Sequence, residues 1–248
     1  MDTASYLIVI TVGLLFGSFT NVIIARMPMG ESIVFPPSHC PHCNEQLRAV
    51  ELVPVLSYLF LRGRCRYCQG KISIRYPLVE IFCVLLFLGV YLRWGMTMTT
   101  VSGCLFSVIL LAAAFIDIDH GIIPDRLTYP GIIIGLILSF WTLGFLPALY
   151  GTLAFGGLMF AVAFISNGGM GGGDVKLAAA IGAFTGITGS AVTLLLACFS
   201  GAIFGLIVMA VNKTGRKTPI KFGPFLAVSA YIAFLFADTI ALWYLGLF

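Results

Sequence analysis

The chain has 248 residues, 60% of them apolar, with a mean hydropathy of +1.05 and only 10% charged residues. A soluble domain carries about a quarter of its residues as Asp, Glu, Lys and Arg, so a water-soluble globular fold is excluded; disordered, collagen-like and disulfide-scaffold classes fail on the same composition. The net charge of +4 does not suggest nucleic acid, because basic residues in so apolar a chain mark which side faces the cytoplasm.

The chain reads as an all-α, polytopic integral membrane protein. A membrane-spanning helix needs about 20 mostly apolar residues. The first candidate is Tyr6–Ala25, closed by Arg26-Met27-Pro28. Nothing basic precedes it and no small-residue cleavage site follows, which separates it from a cleavable signal peptide. A polar stretch over 27–77 comes next. Further spans are expected at Leu78–Leu92, Thr99–Ile116, Tyr129–Phe145, Leu149–Ile165 and Phe222–Leu245, with 175–211 long enough for one span or two around Gly186 and Gly189.

Charge decides the count. Arg48, Arg62, Arg64, Arg66, Lys71 and Arg75 crowd the 27–77 segment, and Lys213, Arg216, Lys217 and Lys221 crowd 212–221. Both should face the cytoplasm, which requires an even number of crossings between them. The 175–211 stretch then crosses twice, giving about eight transmembrane helices. The expected organisation is a first helix over 1–26, a cytoplasmic metal-binding segment over 27–77 and a membrane core over 78–248. Seven of the ten acids, among them Asp117, Asp119, Asp125 and Asp174, fall on the cytoplasmic edges or in the 27–77 segment.

Cys40-Pro41-His42-Cys43 is followed after 21 residues by Cys65-Arg66-Tyr67-Cys68. Two such pairs supply four thiolates, the pattern of a zinc site, with a redox pair as the rival. A reducing cytoplasm argues against disulfides. Four sulfurs would close the coordination sphere, so the zinc at Cys40, Cys43, Cys65 and Cys68 is expected to be structural, holding a segment with little core of its own. His39 and His42 read as loop histidines, and Cys83, Cys104 and Cys198 as small apolar residues within spans.

Acids at membrane depth are costly and usually functional. Asp117 ends the third span in Phe115-Ile116-Asp117-Ile118-Asp119-His120, and Gly171-Gly172-Gly173-Asp174 opens the sixth. Two neighbouring carboxylates share a proton, so one can act as base on a water while the other polarises a peptide carbonyl. Glycines before Asp174 would let an extended peptide approach closely. Asp119 and Asp125 read as helix caps, and for Asp117 and Asp174 capping and chemistry stand as alternatives on the residues alone.

Gly171-Gly172-Gly173-Asp174 is similar to the GxGD motif of membrane aspartyl proteases, and the chain resembles the bacterial type IV prepilin peptidase/N-methyltransferases. The resemblance runs through Gly17-Ser18-Phe19-Thr20-Asn21-Val22 with Arg26 and Pro28, the double C-x-x-C, Ile74-Arg75-Tyr76-Pro77-Leu78-Val79-Glu80, Ile116-Asp117 with Ile123-Pro124-Asp125, and Phe222-Gly223-Pro224-Phe225. It implies an inner-membrane enzyme with Asp117 and Asp174 as catalytic aspartates facing the cytoplasm. Its substrates would be prepilins or pseudopilins with basic leaders, met beside membrane lipid. It implies S-adenosylmethionine as methyl donor for the new amino terminus; no nucleotide fingerprint in the sequence shows where that cofactor binds.

Other candidates weigh less. Glu80 belongs either to the methylating site or to a pair with Arg75. Lys176 snorkels to the interface rather than tuning Asp174. Asp238 falls in the last span. Gly13/Gly17, Gly182/Gly186 and Gly201/Gly205 read as helix packing. The rival from another class is an ion-coupled transporter, for which internal repeats are missing. A zinc metalloprotease lacks H-E-x-x-H and an open metal position.

Overall fold

The computed structural model describes residues 2–166, 169–212 and 221–246. The described residues are nearly all helical, with two isolated β-bridges and no strand. In chain order the helices are α1 Thr3–Arg26, α2 Leu56–Phe60, α3 Arg75–Trp94, α4 Met98–His120, α5 Asp125–Ser139, α6 Phe145–Ile165, α7 Gly172–Asn212 and α8 Gly223–Leu245. Short 3-10 turns occupy Met27–Met29 and Ala49–Leu52. The chain divides into two compact units, Met1–Thr100 and Val101–Phe248.

Six helices among the described residues are long and apolar enough to cross a bilayer: α1, α3, α4, α6, α7 and α8. The expected count of eight differs from this in two places. Helix α5 is apolar but only 15 residues long, roughly 22 Å against a hydrocarbon core of about 30 Å. Helix α7 is a continuous run of 41 residues, about twice the length needed. It is broken at Gly186, whose φ of 65° and ψ of −167° interrupt the helical backbone. That conformation is open to glycine and costly for other residues, so Gly186 is a hinge in the chain rather than only a packing residue. The basic residues Lys213, Arg216 and Lys217, on which the parity argument leans, lie outside the described residues.

Every helix carrying a site residue runs further into polar sequence than its apolar core. Helix α4 continues through Asp117 and Asp119 and stops where Gly121, at φ 67°, donates its N–H to the Asp117 carbonyl at 2.9 Å. Helix α5 begins at Asp125, directly after Pro124, and α7 begins at Gly172, two residues before Asp174.

In the first unit, α1 and α3 pack through glycine. A Cβ on Gly17 would stand 2.7 Å from the Glu80 Cα and 3.1 Å from the Cys83 Cβ, and one on Gly13 would stand 3.0 Å from the Val84 Cα. The expected Gly13/Gly17 packing stripe and the small apolar role of Cys83 both describe this crossing. Asn21, buried on α1, donates its Nδ2 to the Tyr76 carbonyl at 3.0 Å and ties α1 to the start of α3.

In the second unit, α7 lies in a cradle of α5 and α6. Gly151 and Gly182 face each other so closely that a Cβ on either would strike the other's backbone, and Gly135 admits Ala183 and Phe184. Buried hydroxyls bond back to their own helix, as Thr185 does to Ile181 at 2.8 Å and Ser190 to Gly186 at 2.6 Å, because lipid offers no alternative partner. Leu195, Phe199 and Leu206 on α7 are exposed, as lipid-facing side chains would be.

Candidate active site and metal centre

The cytoplasmic-edge aspartates are positioned by helix ends within the second unit. Asp117 is only 6% exposed. Its Oδ2 accepts the Gly223 N–H at 3.0 Å, at the first residue of α8. A helix N-terminus has N–H groups without intrahelical partners, so it is a natural seat for a carboxylate. A Cβ on Gly223 would lie 2.7 Å from that same Oδ2. Phe222-Gly223-Pro224-Phe225 thus acquires a role that its sequence did not reveal: the glycine is the space the carboxylate needs, and Pro224 sits where its missing N–H costs nothing. Lys221 lies within electrostatic range of Asp117, and its Nζ donates to the Ile118 carbonyl at 2.5 Å.

Asp174 is half-buried in the first turn of α7, and the Asp117 carboxylate acts on it electrostatically. The fold therefore brings together two acids that are far apart in the chain. The three glycines before Asp174 do different things. The Gly171 N–H interacts with the Asp174 carboxylate, and a Cβ there would stand 3.3 Å from Oδ2. Gly173 packs on Ile123, with 2.9 Å between its would-be Cβ and the Ile123 Cβ, while Gly172 faces open space. The spacing of the GxGD pattern follows: two positions are sterically restricted and the one between them is free. The expectation that the glycines serve the approach of a peptide is replaced, for Gly171 and Gly173, by internal contacts.

Two neighbouring expectations change. Asp125 does not cap α5, whose N-cap is Pro124 without a side-chain bond. It is an exposed first-turn acid paired with Lys176 Nζ at 2.6 Å. Lys176 therefore does not merely snorkel: it holds Asp125 and sits 5.2 Å from the centre of the Tyr129 ring. Asp119 and Asp238 are exposed on α4 and α8.

In the first unit the four cysteines converge as their spacing implies. The Sγ atoms of Cys40, Cys43, Cys65 and Cys68 all lie within 4.8 Å of one another, and Cys40 and Cys68 are 3.8 Å apart. A tetrahedron with Zn–S bonds of about 2.3 Å has edges of about 3.8 Å, so the cluster fits zinc.

The two halves of the cluster repeat one geometry. The N–H groups of His42 and Tyr67 point at Cys40 and Cys65, each at 3.4 Å. Asn44 and Gln69 donate back to the carbonyls of the same cysteines from positive φ, and His39–Gln46 and Arg64–Lys71 close each knuckle. His39 and His42 bond to the carbonyls of Pro37 and Lys71, each at 3.2 Å, as loop histidines.

The sulfur cage splits the thiols. Burial works against ionising Cys40, yet the N–H groups of Cys43 and His42 and the neighbouring thiols lower it to about 7. At Cys43 the Glu45 N–H favours the thiolate, but burial and the other three sulfurs push it up to about 12. A cation is what would let all four ionise together.

Glu80, buried on α3, accepts the Val55 N–H at 2.7 Å and a bond from Ser18. It ties the loop before α2 to the α1–α3 pair.

Comparison with known proteins agrees with both halves. Residues 11–94 match the bacterial peptidase A24 N-terminal domain, and residues 104–206 match the type IV leader peptidase family. A prepilin leader peptidase/N-methyltransferase of Aeromonas hydrophila is 38% identical over 94% of this chain and 91% of its own length. Those of Stutzerimonas stutzeri and Bacillus subtilis (strain 168) are 35% and 32% identical, over 98% and 94% of this chain and 94% and 95% of theirs. No solved structure matches the chain. With relatives this similar across nearly its whole length, the chain belongs to the type IV leader peptidase family, among the prepilin leader peptidase/N-methyltransferases.

Proposed function

We propose that Asp117 and Asp174 form an aspartate dyad that removes the basic leader of a prepilin or pseudopilin at the cytoplasmic face of the inner membrane, and that the new amino terminus is then N-methylated. The observation that supports the dyad most is electrostatic contact between the two carboxylates, with Asp117 held on the Gly223 N–H. One carboxylate takes a proton from a water, which adds to the scissile carbonyl. The other, protonated, hydrogen-bonds the carbonyl oxygen. Collapse of the tetrahedral adduct returns a proton to the leaving nitrogen and frees the leader as a carboxylate. Two neighbouring acids suit this because one proton between them leaves a base and an acid side by side.

Basic residues in 27–77 support a cytoplasmic orientation, and the break at Gly186 supports a double crossing by α7. With α5 counted as a crossing, eight spans result. Asp119 is available to attract a basic leader, whereas the charge of Asp125 is answered by Lys176. Cys40, Cys43, Cys65 and Cys68 would hold a structural zinc that stiffens the 27–77 segment. S-adenosylmethionine, when bound, supplies an electrophilic methyl group. In membranes, Asp117→Asn and Asp174→Asn should each stop cleavage of an added prepilin. Normal cleavage by either variant overturns the dyad.

A further inference from the structure

The first unit encloses a cavity of about 520 Å³, within the range of about 300–1,000 Å³ typical of small-ligand sites. Its wall runs from α1 through the cysteine segment to the start of α3 and includes Glu51, Ser57, Tyr58, Tyr76 and Glu80. Nothing in the peptidase chemistry uses it.

Glu51 is its most informative residue. The side chain is 3% exposed. Oε2 is satisfied, accepting the Arg48 N–H at 2.9 Å and the Tyr67 hydroxyl at 3.4 Å. Oε1 is buried without a hydrogen bond, and the Arg66 guanidinium stands off at 3.9 Å on a side chain that is 60% exposed. Leaving a buried carboxylate oxygen without a donor costs well over what an ordinary hydrogen bond contributes. A donor or cation entering the cavity removes that cost. Glu80 does not compete for this role, since its Oε2 is committed to Val55.

We propose that this cavity is the methyl-donor site and that Glu51 receives the cationic portion of S-adenosylmethionine there. The inference rests on the methyltransferase half of the proposed function. The cofactor pairs a sulfonium and an ammonium with an adenine ring. The cavity offers a buried, under-satisfied carboxylate for the cations and two tyrosine rings for the sulfonium or the adenine. An adenosylmethionine-sized ligand fits the volume.

The test uses full-length protein in nanodiscs and labelled S-adenosylmethionine, read by equilibrium binding. Wild type should bind. Glu51→Gln, which removes the charge and keeps an acceptor for Arg48 and Tyr67, should raise Kd at least tenfold. Ser57→Phe, which fills the cavity, should abolish binding. Zinc content and leader cleavage, measured on the same preparations, report folding. Ultraviolet cross-linking of the labelled cofactor to wild type should mark peptides within residues 18–80, a readout independent of any variant. Unchanged binding by folded variants, or label confined to Val101–Phe248, overturns the site. A wild type that neither binds the cofactor nor methylates its product removes the methyltransferase reading itself and this proposal with it.

Discussion

The cysteine cluster and the aspartate pair are built in opposite ways. Each cysteine knuckle is local: Cys40 and Cys43, or Cys65 and Cys68, are set by a few intervening residues and by backbone bonds within the same turn. Asp117 and Asp174 have no local relation. They meet because α4 ends on Gly121, α8 begins on Gly223 and α7 is drawn into the cradle of α5 and α6 by Gly151, Gly182 and Gly135. A site written in spacing survives changes elsewhere, whereas a site written in helix packing is sensitive to single methyl groups far from it in sequence.

The largest effect that bears on this contrast is at the acids themselves. Asp117→Asn and Asp174→Asn should each lower prepilin cleavage by 10³-fold or more, and the double variant should be no worse than either single one, because the pair acts as a unit. Additive losses would mean two independent roles. Next is Gly223→Ala, which puts a methyl group 2.7 Å from the Asp117 oxygen. A displacement on the order of 1 Å costs about 10²-fold, so cleavage should fall by that factor while zinc content stays normal. Full activity would show that the Gly223 contact does not position the acid.

Cys40→Ser, or chelation of the metal, should act in the other region. Protease sensitivity should rise within 27–77 while helix content measured by circular dichroism changes little, since structural zinc contributes folding energy where it binds. Global loss of helix would mean that the metal supports far more than its knuckles. The smallest effect separates adjacent glycines. Gly172→Ala meets no atom within 4 Å and should leave cleavage within about twofold. Gly173→Ala would strike Ile123 and should be clearly impaired. Equal behaviour of the two would refute the steric account of the motif.

The two regions also differ in how much could be read in advance. The four zinc ligands followed from chemistry and spacing, because both knuckles are short-range objects. The helices followed from hydropathy, but their polar ends did not. Apolar runs mark the lipid-facing core, while the hydrogen-bond ladder carries on through Asp117, Asp119, Asp125 and Asp174.

For the aspartates, residue chemistry supplied only an even choice between capping and catalysis, and resemblance decided which pair to favour. The Gly223 N–H and the Lys176–Asp125 pair were hidden because each joins helices distant in sequence. A bare Gly-Pro before an apolar run was the available signal for the first. Glu51 was passed over for the same reason: in sequence it is one more acid in a polar loop, and only burial with an unsatisfied oxygen distinguishes it.

The central claim is that a pair of carboxylates assembled by helix packing cuts the leader. The most direct measurement incubates membranes carrying wild type or Asp117→Asn with a prepilin and labelled S-adenosylmethionine, then reads the amino terminus of the product by mass spectrometry. The account predicts a shortened, methylated terminus with wild type and an intact leader with Asp117→Asn. A shortened product from Asp117→Asn would contradict it.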